Sequence, residues 1–270
     1  MQTWLRRGIT GLIFSGAMLG GVYGGPLAYT LLFALVSILC LWEFYKMVLP
    51  ADNKMRIVLA MLCGMAPFVL SALYCWGIAN QVHFLWGGFV LVFIVFLYEL
   101  FQATTRPFEQ VAYITLASVY IGVPFALLNA IAFESGTYQP QIIVGFLLLT
   151  WMSDSAAYVF GSMLGRRPLF PRVSPKKTWE GTIGGVLFSM ALSIGLFYWL
   201  GKVSLTDWLV LGAIVSIFGT LGDLVESMLK RSFQLKDSGN LLPGHGGFLD
   251  RFDAFIFMLP FAAFYLFWLR

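Results

Sequence analysis

Residues 205–253 read LTDWLVLGAIVSIFGTLGDLVESML followed by KRSFQLKDSGNLLPGHGGFLDRFD. The first segment, 205–229, is long enough to cross a bilayer, since a membrane-spanning helix needs about 20 predominantly apolar residues. The second segment, 230–253, holds four cations, three carboxylates, one histidine and four glycines, and it leads directly into another apolar run. Long apolar runs joined by charged connections predict a chain that crosses the membrane repeatedly.

The composition of the whole chain supports this prediction. Hydrophobic residues make up 59% of the sequence, charged residues only 11%, and the mean hydropathy is +0.83, whereas soluble domains carry about 25% charged residues. We predict an all-α polytopic membrane protein with about nine transmembrane helices. Eight is the chief alternative count, because the first run is glycine-rich and weak. The nine runs lie at roughly 8–24, 26–47, 57–78, 82–101, 111–132, 141–163, 182–200, 205–229 and 248–269.

The distribution of lysine and arginine predicts the orientation. With nine spans and a cytoplasmic N-terminus, only Lys202 and Arg270 of the 17 cations fall on the opposite side, together with the C-terminus. Such asymmetry is what the positive-inside rule describes. We therefore interpret the formal net charge of +4 as a signal of topology, and we expect no nucleic-acid partner.

The connections between the runs indicate where function resides. Two long polar connections, 166–181 and 231–247, are predicted on the cytoplasmic side, while the opposite connections are short and nearly uncharged. Loops held by a rigid scaffold carry function. We predict a single membrane domain over 1–270, in which 1–135 is mainly scaffold and 141–270 carries the catalytic motifs.

Carboxylates at membrane depth are the strongest candidates for a site, because an acid at the centre of a span costs about 2.5 to 3.5 kcal/mol and usually marks function. Five acids lie in or near the last spans: Asp154, Asp223, Glu226, Asp250 and Asp253. The spacing of three in 223/226 and in 250/253 places each pair on one helix face, if the last helix has begun by residue 250. Such a set can bind a hard divalent cation such as Mg²⁺. It can equally form a static salt-bridge network, and the neighbouring cations are Lys230, Arg231, Lys236 and Arg251.

The cations beside these acids suit bound phosphate, although cations next to the membrane also mark topology or contact anionic lipids. The segment 165–185, GRRPLFPRVSPKKTWEGTIGG, is basic and is not a Walker loop. It fits a phosphate-binding loop and a lipid-facing loop equally well. His245 lies in a glycine-rich turn as a base, a ligand or a turn residue. Arg56 is expected to mark topology or contact lipid, and Glu43 and Glu99 to reach towards the interface or pair with a cation.

Several of these segments resemble a known family. The runs SMLKR (227–231), KDS (236–238) and LPGHGGFLDRFD (242–253) resemble the signature of phosphatidate cytidylyltransferases, also called CDP-diacylglycerol synthases. Gly222-Asp223, SPKKTWEG (174–181) and the surroundings of Asp154 also look like blocks of this family. The resemblance is densest over about residues 150–255.

The resemblance implies the reaction of CTP with phosphatidic acid to give CDP-diacylglycerol and pyrophosphate, with Mg²⁺ as one or two ions or with a monovalent cation. It implies catalytic roles for Asp223, Lys230, Asp250 and Asp253. The metal would be held by Asp223, Asp250, Asp253 and Glu226. Substrate contacts would come from Ser174, Lys176, Lys177, Thr178, Arg231, Lys236, His245 and Asp154.

The resemblance also implies a homodimer in the bacterial cytoplasmic (inner) membrane, acting in phospholipid biosynthesis. Two related activities stay open beside it, namely CTP-dependent activation of another lipid phosphate and a CTP-dependent lipid kinase. An ion or lipid transporter is the alternative from a different functional class, and it would place its acids near the midplane of the membrane. Here the polar residues crowd one face, which favours chemistry at the membrane surface.

Overall fold

The computed structural model describes residues 2–50, 53–102, 104–241 and 246–270, and for 2–7 and 81–86 it describes the backbone alone. The described chain is almost entirely helical. Its helices are α1 (Gln2–Tyr23), α2 (Pro26–Val48), α3 (Lys54–Cys75), α4 (Gln81–Leu100), α5 (Pro107–Ala117), α6 (Val123–Ala132), α7 (Pro140–Leu164), α8 (Trp179–Leu200), α9 (Leu205–Ser232) and α10 (Leu249–Phe264). A π-helical turn, Ser118–Gly122, joins α5 to α6, and another, Tyr265–Leu269, extends α10. Strands β1 (Pro168–Phe170) and β2 (Ser174–Thr178) form an antiparallel pair between α7 and α8.

The prediction of an all-α polytopic membrane protein is confirmed. Seven helical segments of the described chain are long and apolar enough to cross a bilayer, and two shorter apolar helices cover Gly8–Tyr23 and Gly87–Leu100. A helix therefore lies at each of the nine predicted runs. The number of spans and the side on which each terminus lies stay predictions. The seven long segments are Pro26–Val48, Lys54–Cys75, Pro107–Ala132, Pro140–Leu164, Trp179–Leu200, Leu205–Ser232 and Leu249–Leu269.

Local sequence explains where several helices begin. The Thr178 hydroxyl accepts a hydrogen bond from Gly181 N at the start of α8, and the Ser204 hydroxyl accepts one from Asp207 N at the start of α9. These bonds satisfy amide groups that have no partner inside the first helical turn. Proline occupies the first turn of α2, α5 and α7, where its missing N–H costs nothing.

The chain folds as two compact units, and the first contains Met1–Tyr138 and Asp237–Leu249. Within it, Pro67 lies inside α3 and has no N–H to donate to the Cys63 carbonyl one turn earlier. The Ser118 hydroxyl donates to that carbonyl at 3.1 Å. Gly122 closes against the same turn, because a Cβ there would strike the Gly64 carbonyl. A backbone group freed by proline in an apolar segment is thereby satisfied by a neighbouring helix.

A buried ion pair joins α3 to α4 in this unit. Arg56 Nε donates to Glu99 Oε1 at 2.6 Å and Arg56 Nη2 to Glu99 Oε2 at 3.2 Å. The two residues are 1% and 2% exposed. The expectation that Arg56 only marks topology or contacts lipid misses this pairing, whereas pairing with a cation was one of the two expectations for Glu99. The bidentate geometry compensates for the loss of water around both charges.

The second unit contains Gln139–Lys236 and Asp250–Arg270. Its helices α7, α8 and α9 approach closely through small residues, as membrane helices commonly do. A Cβ at Gly145 would strike the Trp208 ring, and one at Gly185 would crowd Ala157 on α7. Gly161 on α7 and Gly181 on α8 lie against each other, because a Cβ at either one would come within 3.6 Å of the other's Cα. The prediction of one domain over the full length stays a prediction.

The Arg56–Glu99 pair yields a stability prediction. Glu99→Ala leaves a buried guanidinium without its carboxylate, so we expect the free energy of unfolding to fall by about 3–5 kcal/mol. The double variant Arg56→Met/Glu99→Leu removes both charges and should recover most of that loss. Unfolding of the purified protein in detergent micelles measures both variants.

The exposed pair Arg106–Glu109, joined at 3.1 Å, is the matched control. Glu109→Ala should change the free energy of unfolding by less than about 1 kcal/mol, because exposed ion pairs contribute little. A double variant as unstable as Glu99→Ala would contradict the prediction.

Candidate active site

One lysine holds two carboxylates from different helices. Lys230 Nζ, near the end of α9, lies 2.5 Å from Glu226 Oε2 and donates to Asp250 Oδ1 at 2.6 Å. Glu226 is one helical turn before Lys230, whereas Asp250 is the second residue of α10. Helix α10 has thus begun at Asp250, so Asp250 and Asp253 share a helical turn as the spacing argument required. The ammonium group offsets the repulsion between two acids that stand close together.

Glu226 is the most deeply buried of the acids, being fully inaccessible to water. Its contact with Lys230 is short, yet neither carboxylate oxygen has a partner in hydrogen-bonding geometry among the described residues. The contact between Glu226 and Lys230 is therefore an ion pair. A buried carboxylate oxygen without a donor is costly in protein and suited to a cation.

A second lysine holds Asp223. Lys177 Nζ, on β2, lies 2.7 Å from Asp223 Oδ2 and donates to the Thr220 carbonyl at 3.3 Å. The other oxygen of Asp223 accepts a hydrogen bond from Ser227 Oγ at 3.3 Å. The β-hairpin between α7 and α8 thus delivers its lysine to the acid on α9.

Asp253 and Asp154 complete the group of acids. Asp253 is buried, accepts a hydrogen bond from Ala254 N at 2.7 Å, and interacts electrostatically with Asp154, Asp223 and Glu226. Helix α9 approaches α10 closely here, since a Cβ at Gly222 would come within 2.8 Å of the Asp253 carbonyl. The absent side chain at Gly222 is what brings the two acid-bearing helices together.

Asp154 lies on α7 at the margin of this group. It interacts electrostatically with Lys177, Asp223 and Arg251. Arg251 is exposed and interacts electrostatically with Asp154. It is therefore the third cation near the five carboxylates, after Lys230 and Lys177. The second unit therefore gathers five acids and three cations, so carboxyl groups outnumber the cations around them.

The segment between α7 and α8 is held by Glu180, which was not among the predicted site residues, and by Thr178, which was. Glu180 Oε2 accepts hydrogen bonds from Arg166 N at 3.1 Å and Arg167 N at 3.2 Å, which closes the base of the hairpin. The Thr178 hydroxyl caps α8 and also packs against Gly161 and Gly165. Thr178 was proposed to bind substrate, and the structure gives its hydroxyl this cap. A carboxylate just inside a helix start was the available signal for Glu180.

The structure brings Asp154, Lys177, Asp223, Glu226, Lys230, Asp250 and Asp253 together. Other candidates make no described contact with these acids. Arg231 Nη1 donates to the carbonyl of Leu235, and Lys176 and Lys236 are exposed. Ser174 is half-buried at the start of β2. His245 lies outside the described residues.

Both interpretations of the acids find support in this geometry. The salt-bridge alternative is realised in part, through Lys230 and through Lys177, a lysine that it did not include. No group of three potential ligands among the described residues could hold a metal ion by itself. The excess of carboxyl groups and the buried Oε1 of Glu226, which has no described hydrogen-bond partner, nevertheless fit a hard cation that takes its remaining ligands from water or phosphate.

Comparison of the sequence with known proteins identifies the family of this chain. The profile of the Cytidylyltransferase family matches residues 5–269. A phosphatidate cytidylyltransferase of Bacillus subtilis is 35% identical over 267 residues, which is 97% of either chain. Proteins of the same name from Staphylococcus aureus and Staphylococcus haemolyticus are 42% identical over 170 residues, or 62% of this chain and 64% of theirs. The chain belongs to the cytidylyltransferase family.

Proposed function

We propose that the protein is a phosphatidate cytidylyltransferase, which transfers the CMP group of CTP to phosphatidic acid. The relatives that carry this name support the assignment. The observation that carries it structurally is the set of helix-borne acids around Lys230 and Lys177 in one compact unit. Such a set suits the handling of two polyanionic substrates, because cations and a metal offset the repulsion between phosphates.

The reaction does not require a strong general base. An oxygen of the lipid phosphate attacks the α-phosphorus of CTP and forms the new P–O bond, while the bond from that phosphorus to the β-phosphate oxygen breaks. Pyrophosphate leaves with the electron pair of the broken bond. Because the attacking phosphate is already an oxyanion, catalysis depends mainly on positioning and on offsetting charge.

The two lysines are suited to hold phosphate oxygens. An ammonium group has three N–H donors. Lys230 is held by its hydrogen bond to Asp250 and its ion pair with Glu226, and Lys177 by its ion pair with Asp223 and its hydrogen bond to the Thr220 carbonyl. These contacts fix the position of each ammonium group, which can then donate to a substrate phosphate.

We propose that Mg²⁺ completes the site, held by phosphate and water together with oxygens from one or two of the four candidate carboxylates, which are Asp223, Asp250, Asp253 and Glu226. Mg²⁺ commonly takes one or two protein carboxylates and completes its shell with water and phosphate, which suits a site without a full set of protein ligands. When bound, the ion would offset the charge that develops on the departing pyrophosphate. Asp154, Lys176, Ser174, Arg231, Lys236 and His245 remain candidates for contacts to substrate.

We further propose that the reaction takes place at the cytoplasmic face of the bacterial inner membrane. The asymmetry of lysine and arginine supports this orientation. A homodimer stays a prediction from the family resemblance.

The activity is tested with purified protein, phosphatidic acid, labelled CTP and Mg²⁺. We expect labelled CDP-diacylglycerol and one pyrophosphate per product, loss of turnover with excess EDTA, and its return when Mg²⁺ exceeds the chelator. Formation of no product from any lipid phosphate would overturn the proposal. Transfer of a labelled γ-phosphate would indicate the lipid kinase instead, and full turnover in EDTA would overturn the metal assignment.

The acids on α10 give the next prediction. Asp250→Asn and Asp253→Asn each remove one negative charge with little change in shape, so we expect turnover to fall by at least about 100-fold. Asp207→Asn, at the opposite end of α9, is the matched control and should keep turnover within about twofold. Elution of the variants as monodisperse species in detergent confirms that they are folded. Near-normal turnover in either α10 variant would contradict a catalytic role for the residue that it replaces.

Lys177 can be tested separately from the metal. Lys177→Met leaves Asp223 without its cation and removes a donor to phosphate, so kcat/KM for CTP should fall about 10- to 100-fold. Lys177→Arg should recover part of this loss because it keeps the charge. Arg172→Gln, an exposed change in the same hairpin, serves as control. Equal kinetics for Lys177→Met and Arg172→Gln would remove Lys177 from the site.

A further inference from the structure

Glu43, on α2, is buried and accepts two hydrogen bonds from a segment about 200 positions away. Its Oε2 accepts from Ser238 Oγ at 3.1 Å and from Leu249 N at 2.9 Å, across 195 and 206 positions of sequence. The residue is only 2% exposed. Neither of the two expectations for Glu43, reaching towards the interface or pairing with a lysine or arginine, describes these contacts. All of these residues belong to the first compact unit.

Glycines let the segment close around this carboxylate. A Cβ at Gly239 would collide with Glu43 Oε1, and a Cβ at Gly247 would collide with Glu43 Oε2 and the Ser238 hydroxyl. Gly246 has a φ of 79°, a conformation that side chains disfavour. The backbone on both sides of 242–245 thus lies directly against one carboxylate, and glycine is what permits the approach.

Because Glu43 is buried, its carboxylate needs hydrogen-bond partners within the protein. A buried carboxylate is costly unless hydrogen bonds or opposite charges compensate it, and the described partners of Glu43 are a hydroxyl and an amide. Leu249 is the first residue of α10. Its amide has no carbonyl partner inside the helix, and the positive end of the helix dipole favours an anion there. Glu43 therefore acts as a cap for α10 supplied by a distant helix.

This cap lies immediately before the catalytic acids in the chain. Asp250 follows Leu249, and Asp253 lies one helical turn further along α10. Fixing the Leu249 amide fixes the residue at which α10 begins and stabilises the start of the helix that carries both carboxylates. A shift of about 1 Å in such groups can reduce turnover by about 100-fold.

We infer that Glu43 is a positioning residue for the reaction, which holds Ser238 and the Leu249 amide and sets the start of α10. The inference rests on the proposed function for its kinetic consequence, while the tether itself can be measured independently. Glu99 is the matched comparison. It is a glutamate of the same unit and equally buried, but its partner is Arg56 and none of its described contacts reaches 238–249.

The experiment compares Glu43→Ala, Glu43→Gln, Gly239→Ala and Glu99→Ala in the full-length protein in detergent. Amide hydrogen exchange of peptides covering 238–250 reports the tether, and kcat and KM for CTP report its consequence. In Glu43→Ala we expect exchange in these peptides to rise at least about tenfold. We also expect kcat to fall about 10- to 100-fold, with KM for CTP changed less than about threefold.

The other variants separate positioning from general stability. Glu43→Gln keeps an oxygen that can accept both hydrogen bonds, so its kcat should return to within about fivefold of wild type. Gly239→Ala displaces the carboxylate without removing it and should resemble Glu43→Ala in direction. Glu99→Ala lowers stability but should leave exchange at 238–250 and kcat within about twofold of wild type, per folded molecule.

Wild-type exchange at 238–250 in Glu43→Ala would overturn the tether. A loss of kcat in Glu99→Ala equal to that in Glu43→Ala, or no rescue by Glu43→Gln, would overturn the positioning role. A wild-type protein that makes no CDP-diacylglycerol would overturn the proposed function alone, and the exchange measurement would still decide whether Glu43 holds the segment.

Discussion

Lys230 Nζ lies within 2.6 Å of carboxylates from α9 and α10, and the rest of the site depends on that contact. Without it, two acids would repel each other at the point where the helices approach, and Glu226 would be a fully buried charge without a partner. The glycine at 222 makes the contact feasible, because it lets α9 lie against the backbone of α10. Close helix packing and charge compensation therefore require each other at this site.

The apolar part of the chain obeys the same rule of local compensation. Pro67 frees a carbonyl that Ser118 satisfies, and Arg56 neutralises the buried Glu99. In both cases the partner comes from another helix, since little water is available in an apolar surrounding to complete the bonding. Polar groups in this protein thus specify which helices are neighbours, in addition to the small residues that permit close approach.

Sequence periodicity and charge predicted the helices and most of the acid group, because these depend on short spacings. Asp223 and Glu226 share a helix face, and the apolar run after residue 248 predicted where α10 starts to within a residue. The contact between Lys177 and Asp223 and the contacts of Glu43 could not be obtained in this way, since they join residues far apart in the chain. A hydrophobic pattern records which face of a helix is apolar, but it does not record which distant donor meets a buried carboxylate.

The two lysines also explain how several carboxylates can stand close together in the folded protein. A site built only of acids would repel itself, whereas the ion pairs of Lys177 with Asp223 and of Lys230 with Glu226 and Asp250 offset part of that charge within the folded chain. Carboxyl groups still outnumber cations in this group, an arrangement that fits the proposed binding of a cation together with phosphate. Partial neutralisation by lysine therefore stabilises the acid group in the folded protein, and we propose that the same acids then take part in the transfer reaction.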